Sequence, residues 1–210
     1  MTTIVGIAGS LRRGSLNAKL LAAAAKLVPP GVTIDIASIV GIPLYDGDLE
    51  EESGIPEPVR ELKERIARAD GLLLVTPEYN NSIPGVFKNA LDWLSRPPAD
   101  IPRVFGGRPV AVTGATPGRG GTVLAQIAWL PVLRTLGMTP WFGARLQVQG
   151  AHEAFDDEGR LTDEKVHAPN RRAEHVRHGR RVPHHDRRTK RPRGGTGRGL
   201  RRAGAQRLSS

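Results

Sequence analysis

The first 28 residues constrain the fold of this 210-residue chain more than any other stretch. An apolar run of strand length, Thr3 to Ala8, leads into a loop of glycine, serine and arginine, and then into a helical pattern that continues to Val28. The start of a helix offers unpaired N–H groups and the positive end of the helix dipole. We therefore predict that the loop over residues 9–17 binds an anion, the phosphate of a cofactor.

The side chains of this loop support that prediction. Those that can hold a phosphate are Ser10, Ser15, Asn17 and either Arg12 or Arg13. A plain strand-to-helix turn would explain Ser15 as an N-cap but would leave the other polar residues unexplained. The loop matches neither G-x-x-x-x-G-K-[ST] nor G-x-G-x-x-G, which argues against an ATPase and against a dinucleotide Rossmann site here.

Strand patterns and helical patterns alternate along the chain. Further strands are predicted at Val32–Ala37, Gly71–Thr76, Pro109–Thr113 and Thr139–Gln149. Helices are predicted after Pro58, after Pro84 and from Thr122 to Leu136, and residues 42–50 are predicted as a loop. This alternation over about 150 residues predicts an α/β fold with a parallel sheet covered by helices on both faces.

Three polar loops follow strands of this sheet, over residues 9–17, 77–85 and 114–121. Because ligands of such sheets bind beyond the carboxyl ends of the strands, one ligand can touch all three loops. Structural alternatives remain open for two of them. Residues 77–82 can form a plain turn with a surface Tyr79, a left-handed Asn80 and a Glu78 that bonds neighbouring N–H groups, and residues 118–121 can form a flexible glycine loop.

No catalytic side chain or metal site is predicted. The chain has no cysteine, its metal-ligating residues lack useful spacing, and His152 reads as a surface residue. A bound cofactor therefore has to supply the chemistry. The absence of cysteine and of an apolar run of membrane-spanning length leads us to expect a cytoplasmic protein without a membrane partner.

The net charge of +10 is divided unevenly along the chain. Residues 167–210 contain 13 Arg and one Lys against two acidic side chains, whereas residues 1–166 hold 17 basic and 19 acidic ones. We predict one folded domain over residues 1–166 and a disordered basic tail over residues 167–210, which has few apolar residues to bury. The tail could bind nucleic acid by charge alone, but it has no aromatic residue for base stacking, and we do not expect such a role.

Four separated segments together resemble the NADPH-dependent FMN reductase family, the flavodoxin-like group that includes bacterial quinone and chromate reductases. These segments are GSLRRGSLN, IPLYDGDLEE, ADGLLLVTPEYNNSIPGVFKNALDWLSR and ATPGRGGT. The resemblance covers about residues 3–165 and implies a doubly wound five-stranded parallel sheet in the order 2-1-3-4-5. It also implies a homodimer or homotetramer, with the helix after Pro84 and the Leu44–Leu49 loop at the interface.

The implied activity is hydride transfer from NADPH or NADH through bound FMN to a quinone or a similar small acceptor. The residues implied to bind FMN are Ser10, Arg12, Ser15, Leu16, Asn17, Pro77, Glu78, Tyr79, Asn80, Ser82, Thr113, Gly114, Ala115, Thr116 and Gly118. Charge alone suggests Arg119 as a contact for the extra phosphate of NADPH. The alternative is an FMN-carrying electron-transfer protein without a nicotinamide site, and the near-neutral charge of residues 1–166 favours the enzyme.

The sequence departs from the family pattern after the fifth strand. The family closes with an amphipathic helix, whereas here Asp163 to Val166 begins one and the arginine-rich tail interrupts it. We therefore expect a truncated or degenerate final helix. One hypothesis for the composition of the tail is an out-of-frame translation of a GC-rich gene.

Overall fold

The computed structural model describes residues 1–144, 146–156 and 159–162. The strands are β1 (Thr2–Ala8), β2 (Val32–Ala37), β3 (Gly71–Val75), β4 (Pro109–Ala115), β5 (Thr139–Pro140) and β6 (Gln147–Val148). The α-helices are α1 (Leu16–Lys26), α2 (Gly47–Ser53), α3 (Glu57–Arg68), α4 (Gly85–Leu94), α5 (Ile101–Val104) and α6 (Val123–Thr135), and a 3₁₀ turn spans Pro98–Asp100.

The strands form a parallel sheet in the order β2-β1-β3-β4-β5, and β6 pairs with the end of β4. In the register of the central strands, Gly6 of β1 lies between Ile36 of β2 and Leu73 of β3. This order and the helices on both faces confirm the predicted flavodoxin-like fold. The phosphate-loop candidate thus follows a central strand, where a ligand can reach the loops of its neighbours.

Alternate residues of the central strands pack into two separate cores. Leu72 and Leu74 of β3 are buried with side chains of α3, α4 and α6, among which Phe87 and Trp129 meet edge to face at 4.9 Å. Val75 is buried on the other face, against Leu21 of α1. Each such fully buried large side chain contributes about 2 kcal/mol. The two faces hold the carboxyl ends of β1, β3 and β4 rigidly side by side.

The predicted fifth strand, Thr139–Gln149, consists of two short strands. β5 pairs with the start of β4 and β6 with its end. The chain leaves the sheet after Pro140, a residue that sheets tolerate at their edges. The next residue, Trp141, still donates its N–H to the Val110 carbonyl at 2.8 Å, and its ring then packs on Gly143, where an added Cβ would lie 2.5 Å from the ring.

The segment predicted as a loop over residues 42–50 contains the start of α2. Asp46 caps this helix, since its Oδ1 accepts the Asp48 N–H at 2.9 Å. None of the residues of α2 is fully buried, and the packing of Leu49 against the core does not make an apolar face that periodicity could reveal. The Pro43 carbonyl fixes the preceding chain on α4 by accepting from Asn89 Nδ2 at 2.8 Å and from Trp93 Nε1 at 2.9 Å.

The predicted tail over residues 167–210 and the predicted start of a final helix at residues 163–166 lie outside the described residues. Within the part of the chain that the structure describes, no helix combines the length and the apolar composition needed to cross a bilayer.

Candidate active site

A cleft lies at the carboxyl ends of β1, β3 and β4, where the three predicted loops meet. Its lining residues are Ser10, Arg12, Ser15, Leu16, Asn17, Pro77, Glu78, Tyr79, Ala115, Thr116 and Pro117. The cleft contains about 420 Å³ of empty space, counted to its open mouth. One ligand can therefore contact all three loops.

The amino terminus of α1 forms one wall of the cleft. Ser15 is the N-cap of this helix, and its Oγ accepts the Ala18 N–H at 3.2 Å. The hydroxyl keeps its own hydrogen, so Ser15 can cap the helix and donate to a ligand at the same time. The N–H groups of Leu16 and Asn17 lie in the first turn, where no carbonyl of the helix can accept them. The wall therefore presents several donors to the cleft.

The structure separates the two arginines of this loop. Both are exposed, but only Arg12 is part of the cleft lining. The Arg12 N–H also donates to Ser10 Oγ at 3.3 Å, which holds the loop in a tight bend. Of the two candidates, Arg12 is thus the one positioned to pair with an anion at the start of α1.

Asn17 lines the cleft, but its side chain is engaged with another loop. Asn17 Nδ2 donates to the Ala115 carbonyl at 2.9 Å, and Asn17 Oδ1 accepts the Ala115 N–H at 2.9 Å. Both bonds are buried, and they join residues that are far apart in the sequence. The backbone N–H of Asn17 remains the group that this residue offers at the helix start.

The loop after β3 forms the second wall. Tyr79 and Ser82 exchange backbone hydrogen bonds of 3.2 and 3.0 Å around a two-residue turn. Asn80 and Asn81 occupy this turn with φ values of 50° and 61°, a left-handed conformation that asparagine tolerates. Tyr79 is 49% exposed. The surface turn considered as an alternative is therefore present, and it places Tyr79 at the cleft.

Glu78 connects this loop to the start of α6. Its Oε2 accepts the Ala125 N–H at 3.0 Å, in the first turn of that helix. This bond satisfies a helix N–H group that would otherwise lack a partner, and it places a negative charge at the positive end of the helix dipole. The structural role that we considered for Glu78 is thus observed, with a partner 47 residues away.

The loop after β4 forms the third wall through Ala115, Thr116 and Pro117. Pro117 lines the cleft and lies within the predicted loop 114–121, although it is not among the residues named above as implied to bind FMN. The Thr116 N–H donates to the Val148 carbonyl at 3.0 Å, and its carbonyl accepts the Ala151 N–H at 3.0 Å. These bonds anchor the third wall on the chain that follows β6.

Other predicted residues lie beside the cleft and do not line it; they are Asn80, Ser82, Thr113, Gly114, Gly118 and Arg119. The Thr113 hydroxyl donates to the Leu146 carbonyl at 2.8 Å. Gly114 packs so closely that an added Cβ would lie 2.1 Å from the Thr76 carbonyl oxygen and 2.3 Å from Thr122 Oγ1. Both residues therefore shape the wall from behind, while Arg119 is exposed.

A charged cluster lies apart from the cleft, where the residues after β2 meet α4. A hydrogen bond from Arg96 lowers the pKa of the Glu50 carboxyl, and a hydrogen bond to Glu50 raises the pKa of Tyr45. In the cleft itself, the described lining includes one guanidinium, Arg12, and one carboxylate, Glu78, and no histidine. The arrangement can bind and orient a phosphate-bearing ligand, and the redox chemistry has to come from that ligand.

Known proteins resemble this chain in sequence. The profile of the NADPH-dependent FMN reductase family matches residues 2–153. The NAD(P)H-dependent FMN reductase of Pseudomonas aeruginosa is 46% identical over 163 residues, which cover 78% of this chain and 86% of that protein. The 2-hydroxy-1,4-benzoquinone reductase of a Burkholderia species is 50% identical over 123 residues, which cover 59% of this chain and 65% of that protein.

A solved structure shares both fold and sequence. FerB, a flavoenzyme NAD(P)H:(acceptor) oxidoreductase from Paracoccus denitrificans, superimposes with a TM-score of 0.72 at 36% identity, covering 84% of this chain and 94% of that one. The family profile spans most of the chain and includes all three loops of the cleft. The chain therefore belongs to the NADPH-dependent FMN reductase family.

Proposed function

We propose that this chain is an oxidoreductase that binds FMN in the cleft and passes hydride from NADPH or NADH to quinones or similar small acceptors. The proposal rests on one observation: three loops meet at one cleft beside the first turn of α1, and the chain belongs to this family. The names of the Pseudomonas aeruginosa and Burkholderia relatives support FMN as cofactor and a quinone as acceptor. Such an activity uses the reduced nicotinamide pool of the cytoplasm, which we infer as its location.

The residues of the first wall fit the phosphate of FMN. The hydroxyls of Ser10 and Ser15 and the first-turn N–H groups are all donors, and Arg12 adds a positive charge at the same edge of the cleft. A dianionic phosphate needs this kind of donor set, and it also gains from the positive end of the dipole of the 11-residue α1.

The second and third walls fit the flat ring system. Pro77 and Tyr79 provide a wall against which a ring can lie, and Thr116 and Pro117 flank the opposite edge. FMN supplies the hydride chemistry when it is bound here. The contribution of the chain is to orient the ring and to offer the backbone N–H groups of Glu78, Asn80 and Asn81, which the turn itself does not use, to negative charge that develops on it.

We further propose that the exposed Arg119 contacts the extra phosphate of NADPH. Its loop, rich in glycine, leaves the third wall of the cleft, so a co-substrate that reaches the ring passes near it. The relatives are reductases by name, which favours an enzyme with a nicotinamide site over the electron-carrier alternative.

We also propose that the chain forms a homodimer or homotetramer. An apolar groove of exposed or half-buried side chains runs between α6 and the residues after β5, and it includes Ile127, Leu130, Trp141 and Phe142. Exposed apolar patches of this kind mark contact surfaces.

The two parts that the family resemblance implies at the interface are the loop carrying Leu44 and the helix α4. Leu44 is 79% exposed, and its loop is held on α4 by the hydrogen bond from the Tyr45 N–H to Asn89 Oδ1 at 2.8 Å. Both parts therefore form one surface.

Anaerobic mixing of the FMN-loaded protein with NADPH tests the proposed activity. We expect NADPH alone to bleach the absorption of the oxidised flavin, and a quinone added afterwards to restore it. A double variant, Arg12→Ala with Ser15→Ala, serves as the matched control and should carry no flavin after gel filtration. Flavin that keeps its colour with NADPH but is reduced by a separate reductase would identify an electron carrier and contradict the proposal.

A further inference from the structure

Asn17 joins two walls of the cleft through one side chain. The residue is 3% exposed and is the second residue of α1. Its planar carboxamide forms a two-bond pair with the backbone of Ala115, donating from Nδ2 and accepting at Oδ1, with both distances 2.9 Å. Ala115 is the last residue of β4 and belongs to the lining of the cleft.

The position of this pair in the sheet explains why a side chain is needed there. In an extended strand, residues two apart point their backbone groups to the same side. The Thr113 carbonyl accepts the Thr76 N–H at 2.8 Å on the side of β3. The N–H and carbonyl of Ala115 face that same side, but the chain after β3 has already turned away into the loop at Pro77. The Asn17 carboxamide thus forms the two hydrogen bonds with Ala115 that a neighbouring strand would otherwise form.

The side chain and the backbone N–H of Asn17 therefore have different roles. Its carboxamide satisfies two buried backbone groups that would otherwise lack partners, a situation that folded proteins avoid. Its backbone N–H lies in the first turn of α1, as does that of Leu16. The spacing between the start of α1 and the wall formed by Ala115, Thr116 and Pro117 is consequently fixed by a hydrogen-bonded pair.

We propose that the Asn17 side chain is a positioning residue, which holds the third wall of the cleft at the correct distance from the phosphate loop. In this role the side chain affects the binding of the flavin ring as well as that of the phosphate, because it sets the distance between two walls of the cleft. A side chain that mainly bound the phosphate would contribute to the affinity for the phosphate group alone. This inference rests on the proposed FMN-binding function.

The two roles are separated by comparing FMN with riboflavin, which has the same ring and side chain but no phosphate. The dissociation constant of each flavin is measured by quenching of flavin fluorescence on the folded apoprotein of the full chain and of Asn17→Ala. We expect Asn17→Ala to weaken both flavins by a similar factor, about tenfold, because the wall at Ala115 is then no longer held at its distance from the phosphate loop. Alanine has a high helix propensity, so the variant does not weaken α1 itself.

Arg12→Ala is the matched control, and it should weaken FMN while leaving riboflavin within about twofold, because it removes a phosphate partner only. Melting curves of each apoprotein establish that the folded fraction is compared, since a general loss of stability leaves the affinity of the folded molecules unchanged. The proposal is overturned if Asn17→Ala behaves like Arg12→Ala, with weakened FMN and unchanged riboflavin.

Amide hydrogen exchange of the unsubstituted apoprotein provides a measurement that needs neither a variant nor a flavin. The Ala115 N–H should exchange at least about 100-fold more slowly than an unprotected amide, because it is buried and paired with Asn17 Oδ1. Exchange at the unprotected rate would overturn the proposal. If the unsubstituted apoprotein bound neither flavin, the proposed function would fail, and slow exchange would still support the Asn17–Ala115 pair.

Discussion

The two ends of the sheet treat the unpaired backbone groups of helix ends in opposite ways. At the amino-terminal end, the guanidinium of Arg108 donates to four carbonyls near the ends of α3 and α5, those of Ala67, Ala69, Arg103 and Val104. At the carboxyl-terminal end, the N–H groups of Leu16 and Asn17 at the start of α1 face a cleft.

This difference shows how one fold divides stability from function. Helix ends always leave unpaired groups, and a protein has to satisfy them with side chains, water or a ligand. Here the half-buried Arg108 donates to carbonyls near the ends of α3 and α5, so these helix ends need no ligand. The other end keeps donors and a positive charge available for a phosphate. Substitutions at the two ends should therefore separate into effects on folding and effects on flavin binding.

The largest expected effect is on flavin affinity at the carboxyl-terminal end. The double variant Arg12→Ala with Ser15→Ala should weaken FMN binding by about 1,000-fold, since it removes a charge-assisted and a hydroxyl contact to phosphate. The loss of the Ser15 cap should cost the fold only about 1 kcal/mol. Fluorescence titration and circular dichroism measure the two effects. Arg13→Ala, a neighbouring arginine outside the lining, should bind FMN as the parent does.

The amino-terminal end should respond in the opposite way. Arg108→Met keeps much of the length of the side chain but leaves four carbonyls without their donor, and it should reduce the free energy of unfolding by about 3 kcal/mol. The FMN affinity of the folded fraction should stay unchanged. Urea unfolding and fluorescence titration provide both values. A variant that keeps its stability but loses FMN would erase the distinction between the two ends.

A smaller, pH-dependent effect is expected at the ion pair between Lys63 and Asp100. The Lys63 ammonium is almost fully buried and also donates to the Arg96 carbonyl, and its hydrogen bond lowers the pKa of Asp100 below its usual 3.8. Because the pKa of Asp100 is lower in the folded state than in the unfolded state, the ionised carboxylate stabilises the fold at pH values above the unfolded-state pKa. This stabilisation is lost as the pH falls through the folded-state pKa. Asp100→Asn should therefore cost about 2 kcal/mol at pH 7.

The same variant should approach the stability of the parent as the pH falls below about 4, because the parent then loses the charge of Asp100 as well. Urea unfolding at a series of pH values measures this convergence. A stability difference that stays constant from neutral to strongly acidic pH would contradict the assigned ion pair.

Local patterns made most of the fold predictable. The fully apolar run Gly71–Val75 marks a central parallel strand, and the loop after β1 combines donors in a way that an ordinary turn does not need. The exposed helix α2 was missed because its only signal is a polar cap at Asp46. The interruption after Pro140 was also missed, since a chain can leave a sheet at a proline or continue along its edge.

The contacts between the loops could not be predicted from the sequence. Asn17 and Glu78 each look like ligand-binding residues in their own loop, but their side chains bond to Ala115 and Ala125. Each pair joins distant parts of the chain, and its formation depends on where neighbouring strands end. Sequence periodicity reports the spacing within one element and carries no information about such pairs.

A titration of the apoprotein with FMN, followed by gel filtration and a visible absorption spectrum, tests the central claim most directly. We expect the parent to retain one FMN per chain and to show the two absorption bands of an oxidised flavin, and Arg12→Ala with Ser15→Ala to elute colourless. A parent protein that stays colourless after incubation with excess FMN would contradict the assignment of the cleft.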